Sequence, residues 1–386
     1  MDIFLELVLI ILGAKIGGLL AEKLKQPAVI GEILTGMLLG PHVLGLIKPT
    51  IFIQGISQIG IVLLMFLVGL RVDLNEIKKL LERSSLIAFL GVVLPLIIGI
   101  FLGTSLGWGN KESLILGSIL TATSVTITAR TLTDMKKIKT KAGITILDAA
   151  VVDDILGVLV LILVLSSLGV QKLSIFNFFI ILIEIALFFI IPIKLSKKFI
   201  PKLIELGKYM SFRVKEGLFS LILVLVLFFS YLANFIGLSA IIGAFLVGLI
   251  IPYEKIKSIK HEFYAISYGF AVPVFFTYIG LMLNPYLIIS YFPIILLVLI
   301  ITSLTKFFGC FLGSILSKFN FYESLLIGVG MIPRLEVATI ILELGRTSGL
   351  ISEYHFSIII SGILLTILIT PLLLKLIIKK FGKKIK

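Results

Sequence analysis

Residues 149–161 read Ala149-Ala150-Val151-Val152-Asp153-Asp154-Ile155-Leu156-Gly157-Val158-Leu159-Val160-Leu161. Two adjacent aspartates stand in an otherwise apolar run. A carboxylate near a bilayer midplane costs at least ~2.5 kcal/mol on the mildest insertion scale, so hydrocarbon keeps such residues only where they are used. Something positive is required to meet them there. The rest of the chain has the same character: of 386 residues 59% are hydrophobic and 15% charged, with a mean hydropathy of +1.20. Soluble domains carry about 25% charged residues. The composition predicts an all-α polytopic membrane protein.

Candidate apolar runs for crossing about 30 Å of hydrocarbon number thirteen, the ninth of them short. They are Ile3 to Leu20, Ala28 to Ile47, Ile51 to Leu70, Ser85 to Leu106, Ser113 to Leu132, Gly143 to Leu168, Phe176 to Leu195, Leu218 to Ile236, Leu238 to Ile251, Phe263 to Leu283, Ile288 to Leu316, Ser324 to Leu344 and Phe356 to Ile378. Connections are short, which predicts one transmembrane domain over 1–386 and no soluble regulatory domain. Of the 35 lysines and arginines, 28 fall at or just beyond the far ends of odd-numbered segments, the C-terminal end included, four fall on the other side, and Lys15, Lys306 and Arg334 lie deep within segments. Basic loops stay cytoplasmic, so the N-terminus is expected outside and the C-terminus in the cytoplasm. The net charge of +14 is then a topology signal, and nucleic-acid binding is a poor reading of it. Asp2 and Glu6 replace the basic start of a signal peptide. A single cysteine, Cys310, excludes an intrachain disulfide and a cysteine metal cluster. His42, His261 and His355 are isolated and read as loop or interface residues.

An internal echo appears between Ala28-Val29-Ile30-Gly31-Glu32-Ile33-Leu34-Thr35-Gly36-Met37 and Ala240-Ile241-Ile242-Gly243-Ala244-Phe245-Leu246-Val247-Gly248-Leu249. The segments that follow end in Val68-Gly69-Leu70-Arg71-Val72-Asp73 and Ile279-Gly280-Leu281-Met282-Leu283-Asn284 at nearly the same offset. Five-helix units separated by seven helices have opposite orientations, as in many secondary transporters. The expected repeats are about 27–168 and 238–378.

Within such repeats the fifth and twelfth segments correspond, and both are interrupted. The fifth holds Thr121-Ala122-Thr123-Ser124-Val125-Thr126-Ile127-Thr128, whose hydroxyls compete for backbone hydrogen bonds. The twelfth holds Met331-Ile332-Pro333-Arg334-Leu335-Glu336, where the proline lacks a donor and clashes with the preceding turn. Two broken helices crossing near mid-membrane would offer helix ends and free carbonyls to an ion.

Gln26-Pro27-Ala28-Val29-Ile30-Gly31-Glu32-Ile33, Leu39-Gly40-Pro41, Phe66-Leu67-Val68-Gly69-Leu70, Thr121-Ala122-Thr123-Ser124, Asp153-Asp154 and Pro333-Arg334-Leu335-Glu336 together resemble the monovalent cation/proton antiporters, most of all the NapA-type two-aspartate sodium/proton antiporters. Lys306 fills the position of that type's lysine, and Leu335 stands where many relatives have glycine. The resemblance covers almost the whole chain. It implies a core domain (about 85–168 and 288–378) with two crossing broken helices, a dimerisation scaffold (about 3–70 and 218–283) and a linker helix (about 176–200). It also implies a homodimer formed through the first and eighth helices in the plasma-membrane lipid, with no soluble partner.

For the site, the resemblance implies Asp154 as the ion-binding carboxylate and Asp153 as partner of Lys306. Neighbours on a helix point ~100° apart, so the two acids cannot share one partner symmetrically. Thr123 and Ser124 would add hydroxyl oxygens, which suit sodium or lithium better than sulfur or imidazole would. Arg334, Pro333 and Glu336 would support the broken helices. Glu32 is read as lining an access funnel or as bonded between helices, and Asp148 as a candidate for cytoplasmic ion access. Burial favours a protonated carboxyl and a nearby cation favours the ionised form, so H+ and Na+ (or Li+) can compete at Asp154. The expected activity is electrogenic sodium/proton antiport by elevator-like alternating access, serving pH homeostasis, with transported ions and no cofactor. Potassium/proton efflux and sodium-coupled organic-anion symport are the alternatives. An intramembrane aspartyl protease would need carboxylates facing each other from different helices, so no enzyme is expected.

Overall fold

The structure is a computed structural model that describes all residues except 1–2, 71–73, 168–174, 214, 348, 383 and 386. Some side chains within helices also fall outside the description, among them those of 74–81, 175–178, Glu336 and Glu343. Arg71 and Asp73 of the internal echo, and Lys172, therefore lie outside the described residues.

Every regular element among the described residues is helical. In chain order these are α1 (Ile3–Lys23), α2 (Ala28–Leu39), α3 (Ile51–Gly69), α4 (Leu74–Ser105), α5 (Asn110–Thr121), α6 (Val125–Asp134), α7 (Lys141–Ser167), α8 (Ile175–Arg213) and α9 (Gly217–Phe235). There follow α10 (Ala240–Ile250), α11 (Lys260–Ile266), α12 (Val272–Leu281), α13 (Pro285–Ser290), α14 (Phe292–Leu316), α15 (Phe321–Gly330), α16 (Glu336–Thr347) and α17 (Glu353–Phe381). Among the described residues eight helical stretches are long and apolar enough to cross a membrane, and α2, α10 and α15 are shorter apolar helices.

Several elements differ from the sequence expectation. The seventh segment was expected to end near Leu195, yet α8 continues for 39 residues through Pro192 and Pro201. An interior proline removes one hydrogen bond and kinks a helix; burial of Ile200 and Ile204 on the continuing face favours the helix past it. The tenth segment is helical throughout, with a π-helical turn at Ser267–Ala271 between α11 and α12. A short helix, α13, precedes α14 and is capped by Asn284, whose side chain accepts from the Tyr286 and Leu287 N–H groups. Arg130, counted above with a cytoplasmic loop, lies inside α6 and is buried.

Two compact units share the chain. One comprises residues 1–49, 77–173 and 277–386. In it α1 packs along α2, and α14, α15, α17 and α7 surround the interrupted segments. An apolar cluster in it joins Leu116 and Leu120 of α5, Ala338 and Leu342 of α16 and Ile359 and Ile363 of α17. The other comprises 50–76 and 174–276, where α3 and α9 flank α10 and α8 packs on α9.

The echoing glycines make matching contacts, each inside its own unit. A methyl group on Gly36 would overlap the Thr277 carbonyl and crowd Gly280, and one on Gly248 would overlap the Phe66 carbonyl and crowd Gly69. Backbones this close exclude any side chain, which is how small residues serve helix packing in membranes. Overpacking of this kind costs ~1–3 kcal/mol or more. Gly36→Val and Gly248→Val are each expected to lower the melting temperature in detergent, whereas Gly55→Val, which faces open space, leaves it unchanged.

Candidate functional site

The apolar interior contains four helix ends that need partners. Residues 122–124 interrupt the run between α5 and α6, and residues 331–335 interrupt that between α15 and α16. An α-helix leaves its last carbonyls and first N–H groups unsatisfied, and no water is at hand in hydrocarbon to satisfy them. The two interruptions supply each other. Backbone Ser124 N–H donates to the Pro333 carbonyl at 2.6 Å. Thr128 Oγ1 donates to the Gly330 carbonyl at 2.6 Å, and Thr123 Oγ1 reaches the Met331 carbonyl at 3.5 Å. The Arg334 N–H, before α16, donates to Thr366 Oγ1 of α17 at 3.3 Å.

The C-terminal end of α5 is met by two cations. Lys306 Nζ donates to the Thr121 carbonyl at 2.6 Å, and Arg334 Nη1 donates to the Ala122 carbonyl at 2.5 Å. Positive charge suits this end because the helix macrodipole is negative there. Arg334 Nη2 also donates to the Thr302 carbonyl of α14 at 3.1 Å. Both cations are fully buried, a position that is stable only with hydrogen-bonded partners or counter-charge.

The counter-charge comes from α7. Lys306 Nζ donates to Asp153 Oδ1 at 2.5 Å, and neither side chain is accessible. Thr123 is also within hydrogen-bond reach of Asp153, and Arg334 is close enough to act on it electrostatically. Asp153 Oδ2 is buried and has no hydrogen-bond partner among the described residues. Asp154, one position on, is half-buried. The adjacent carboxylates thus differ in burial: one is sealed against a lysine and the other is partly exposed. Ser124 and Thr126 share a hydroxyl hydrogen bond at 2.9 Å beside the interruption.

The structure thus brings together Asp153, Thr123, Ser124, Lys306, Pro333 and Arg334. Glu336 begins α16, and its side chain lies outside the described residues. Asp148 is buried on α7, five residues before Asp153. Glu32 is held elsewhere, buried on α2 with Arg130 Nη2 at 3.8 Å, while Arg130 Nε donates to Asp134 at 2.8 Å. The sequence reading missed this Glu32–Arg130–Asp134 group; the available signal was the i,i+4 spacing of Arg130 and Asp134.

With this arrangement in view, the comparisons are decisive. The family described as sodium/hydrogen exchanger, transmembrane, matches residues 8–380. The chain belongs to the sodium/hydrogen exchanger family. Similar proteins include a probable Na(+)/H(+) antiporter, GerT, of Bacillus cereus, 37% identical over 92% of this chain and 94% of that protein. A Na(+)/H(+) antiporter of Enterococcus hirae is 38% identical over 93% of this chain and 94% of its own length. The Na(+)/H(+)-K(+) antiporter GerN of Bacillus cereus is 35% identical over 95% of this chain and 93% of its own. The fold is like that of the sodium proton antiporter MjNhaP1 from Methanocaldococcus jannaschii, with a TM-score of 0.65 at 19% identity over 97% of this chain and 95% of that one. The exchanger is accordingly a transmembrane protein.

Each buried carbonyl left bare costs about 1–3 kcal/mol. Arg334→Met strands the Ala122 carbonyl at the interruption, whereas Arg334→Lys can still reach it; the Thr302 carbonyl keeps Thr305 Oγ1 as a donor in either variant. Melting temperatures in detergent are expected to fall in the order wild type, Arg334→Lys, Arg334→Met.

Proposed function

We propose that this exchanger is a secondary active sodium/proton antiporter in which H+ and Na+ (or Li+) compete for Asp154. The observation that carries the reading is the sealed Lys306–Asp153 pair at the end of α5, with the partly exposed Asp154 beside it on α7. A carboxylate and the hydroxyl of Thr123 form a hard, oxygen-rich set suited to a small cation. Thr123 would join Asp154 in holding Na+, with Ser124 nearby. Protonation removes the charge that sodium needs, so one ion leaves as the other binds. If Asp153 takes a proton as its pairing with Lys306 opens, two protons return for one sodium and exchange is electrogenic.

Elevator-like movement of a core bearing the crossed interruptions is the proposed route of alternating access. The matching glycine contacts of Gly36 with Gly280 and of Gly248 with Gly69 support the inverted repeats, and with them a thirteen-segment topology. The 28-to-4 distribution of basic residues supports an external N-terminus and a cytoplasmic C-terminus in the plasma membrane. A homodimer is part of the same reading. Glu32 and Asp148 are proposed to shape the cytoplasmic access route, and Glu336 to support the start of α16. Potassium in place of sodium is the second reading, favoured by the similarity to GerN, a Na(+)/H(+)-K(+) antiporter.

Proton movement in proteoliposomes tests the proposal. Sodium or lithium is expected to dissipate an imposed pH gradient with wild type, and the rate with Asp154→Asn should fall at least 100-fold. A response to potassium alone moves the assignment to the second reading. No response to any of the three cations sinks the antiport reading. Exchange at a rate that changes when membrane potential is clamped marks net charge movement, and Lys306→Gln is expected to weaken that dependence.

A further inference from the structure

Read as the seventh transmembrane segment, helix α8 is too long for the membrane it would cross. Its 39 residues span about 58 Å, against about 30 Å of hydrocarbon. Its second half must therefore leave the hydrocarbon and run at or beyond the interface. That half carries an ordered surface. Ile200, Ile204 and Gly207 are buried, and a methyl group at Gly207 would meet Leu218 and Leu221 of α9. The opposite side is exposed. On it Lys194, Lys198 and Lys202 follow one another at four-residue intervals, with Lys197 and Lys208 to one flank and exposed Leu195, Phe199, Leu206 and Tyr209 to the other.

Successive lysines at i,i+4 repel one another and destabilise a helix. Among the described residues, Lys194, Lys197, Lys198 and Lys202 make no ion pair. Between residues 185 and 215 the sequence offers one acid, Glu205. Among the described residues nothing neutralises this row, which leaves it open to anions from outside the chain. A cationic row beside an apolar row is the surface that lies in a headgroup layer, with apolar side chains toward the acyl region and basic ones toward anionic headgroups. The cavity of about 400 Å³ at the end of α8 differs: it is lined by Lys208 and Lys215 but also by Glu216 and Glu262, so its charge is balanced.

We propose that the second half of α8 binds anionic phospholipid of the leaflet it meets, Lys194, Lys198 and Lys202 taking the headgroup phosphates and Leu195, Phe199 and Leu206 the acyl chains. The inference rests on α8 crossing the membrane and not on the transport reading, since lipid binding is counted with no ion gradient present.

The test uses delipidated full-length protein in neutral detergent, titrated with phosphatidylglycerol or phosphatidylcholine, with bound lipid counted by native mass spectrometry. Wild type is expected to prefer phosphatidylglycerol. The triple variant K194Q/K198Q/K202Q should bind it at least tenfold more weakly with phosphatidylcholine binding unchanged, K194R/K198R/K202R should retain it, and K23Q/K379Q/K380Q, which removes three other exposed lysines, should retain it as well. Equal binding by wild type and the glutamine variant overturns the proposal, as does equal loss in the control. Glycerol phosphate that competes as well as the lipid also overturns it, because the surface would then hold free phosphate. A wild-type measurement covers the case in which the glutamine variant fails to fold: phosphatidylglycerol should slow amine labelling of Lys194, Lys198 and Lys202 relative to Lys379 and Lys380, and equal slowing contradicts the assignment.

Discussion

Helix ends inside an apolar interior cannot be left bare, and the architecture around the two interruptions follows from that requirement. Four ends meet near residues 122–124 and 331–335. They are satisfied by each other's backbones, by threonine hydroxyls and by two buried cations that reach the last carbonyls of α5. Those cations in turn demand negative charge, and Asp153 supplies it to Lys306 at 2.5 Å. The acidic pair on α7 is thus tied to the broken backbone through a lysine from α14.

The same arrangement separates the work of the two aspartates. Asp153 is committed to Lys306 and keeps only Oδ2 without a partner, whereas Asp154 is partly exposed. On the proposed reading, two cations and two carboxylates leave the empty site near neutrality, and an added sodium or proton sets the charge that has to cross the membrane. On the proposed mechanism this balance is why one ion must leave before another binds. Arg334 is held by three backbone or hydroxyl contacts from different elements; on the proposed mechanism it is the fixed charge, and Lys306 the one whose partner changes.

Much of this was legible in the sequence, for identifiable reasons. Pro333 in an apolar run and the hydroxyl cluster around Thr123 marked the interruptions, because missing donors and competing hydroxyls act locally. The acids at 153 and 154 stood out because hydrocarbon penalises them. What could not be read were bonds made over long separations. The contacts of Lys306 with Thr121 and of Arg334 with Ala122 join residues 185 and 212 positions apart, and no local pattern encodes them. Arg130 was read as a loop charge because its buried partner Glu32 comes from a distant helix. The extent of α8 was misjudged for a different reason: Pro192 and Pro201 signal helix ends locally, and tertiary burial of Ile200 and Ile204 overrides that signal.

Competition between protons and sodium at one carboxylate makes a quantitative demand on equilibrium binding. Calorimetric titration of detergent-solubilised protein with sodium across a pH series tests it most directly, with Asp154→Asn alongside. The account predicts an apparent Kd that weakens about tenfold per pH unit on the acid side, proton release on sodium addition, and no binding heat in the variant. A Kd independent of pH, or unchanged sodium binding in Asp154→Asn, would contradict it.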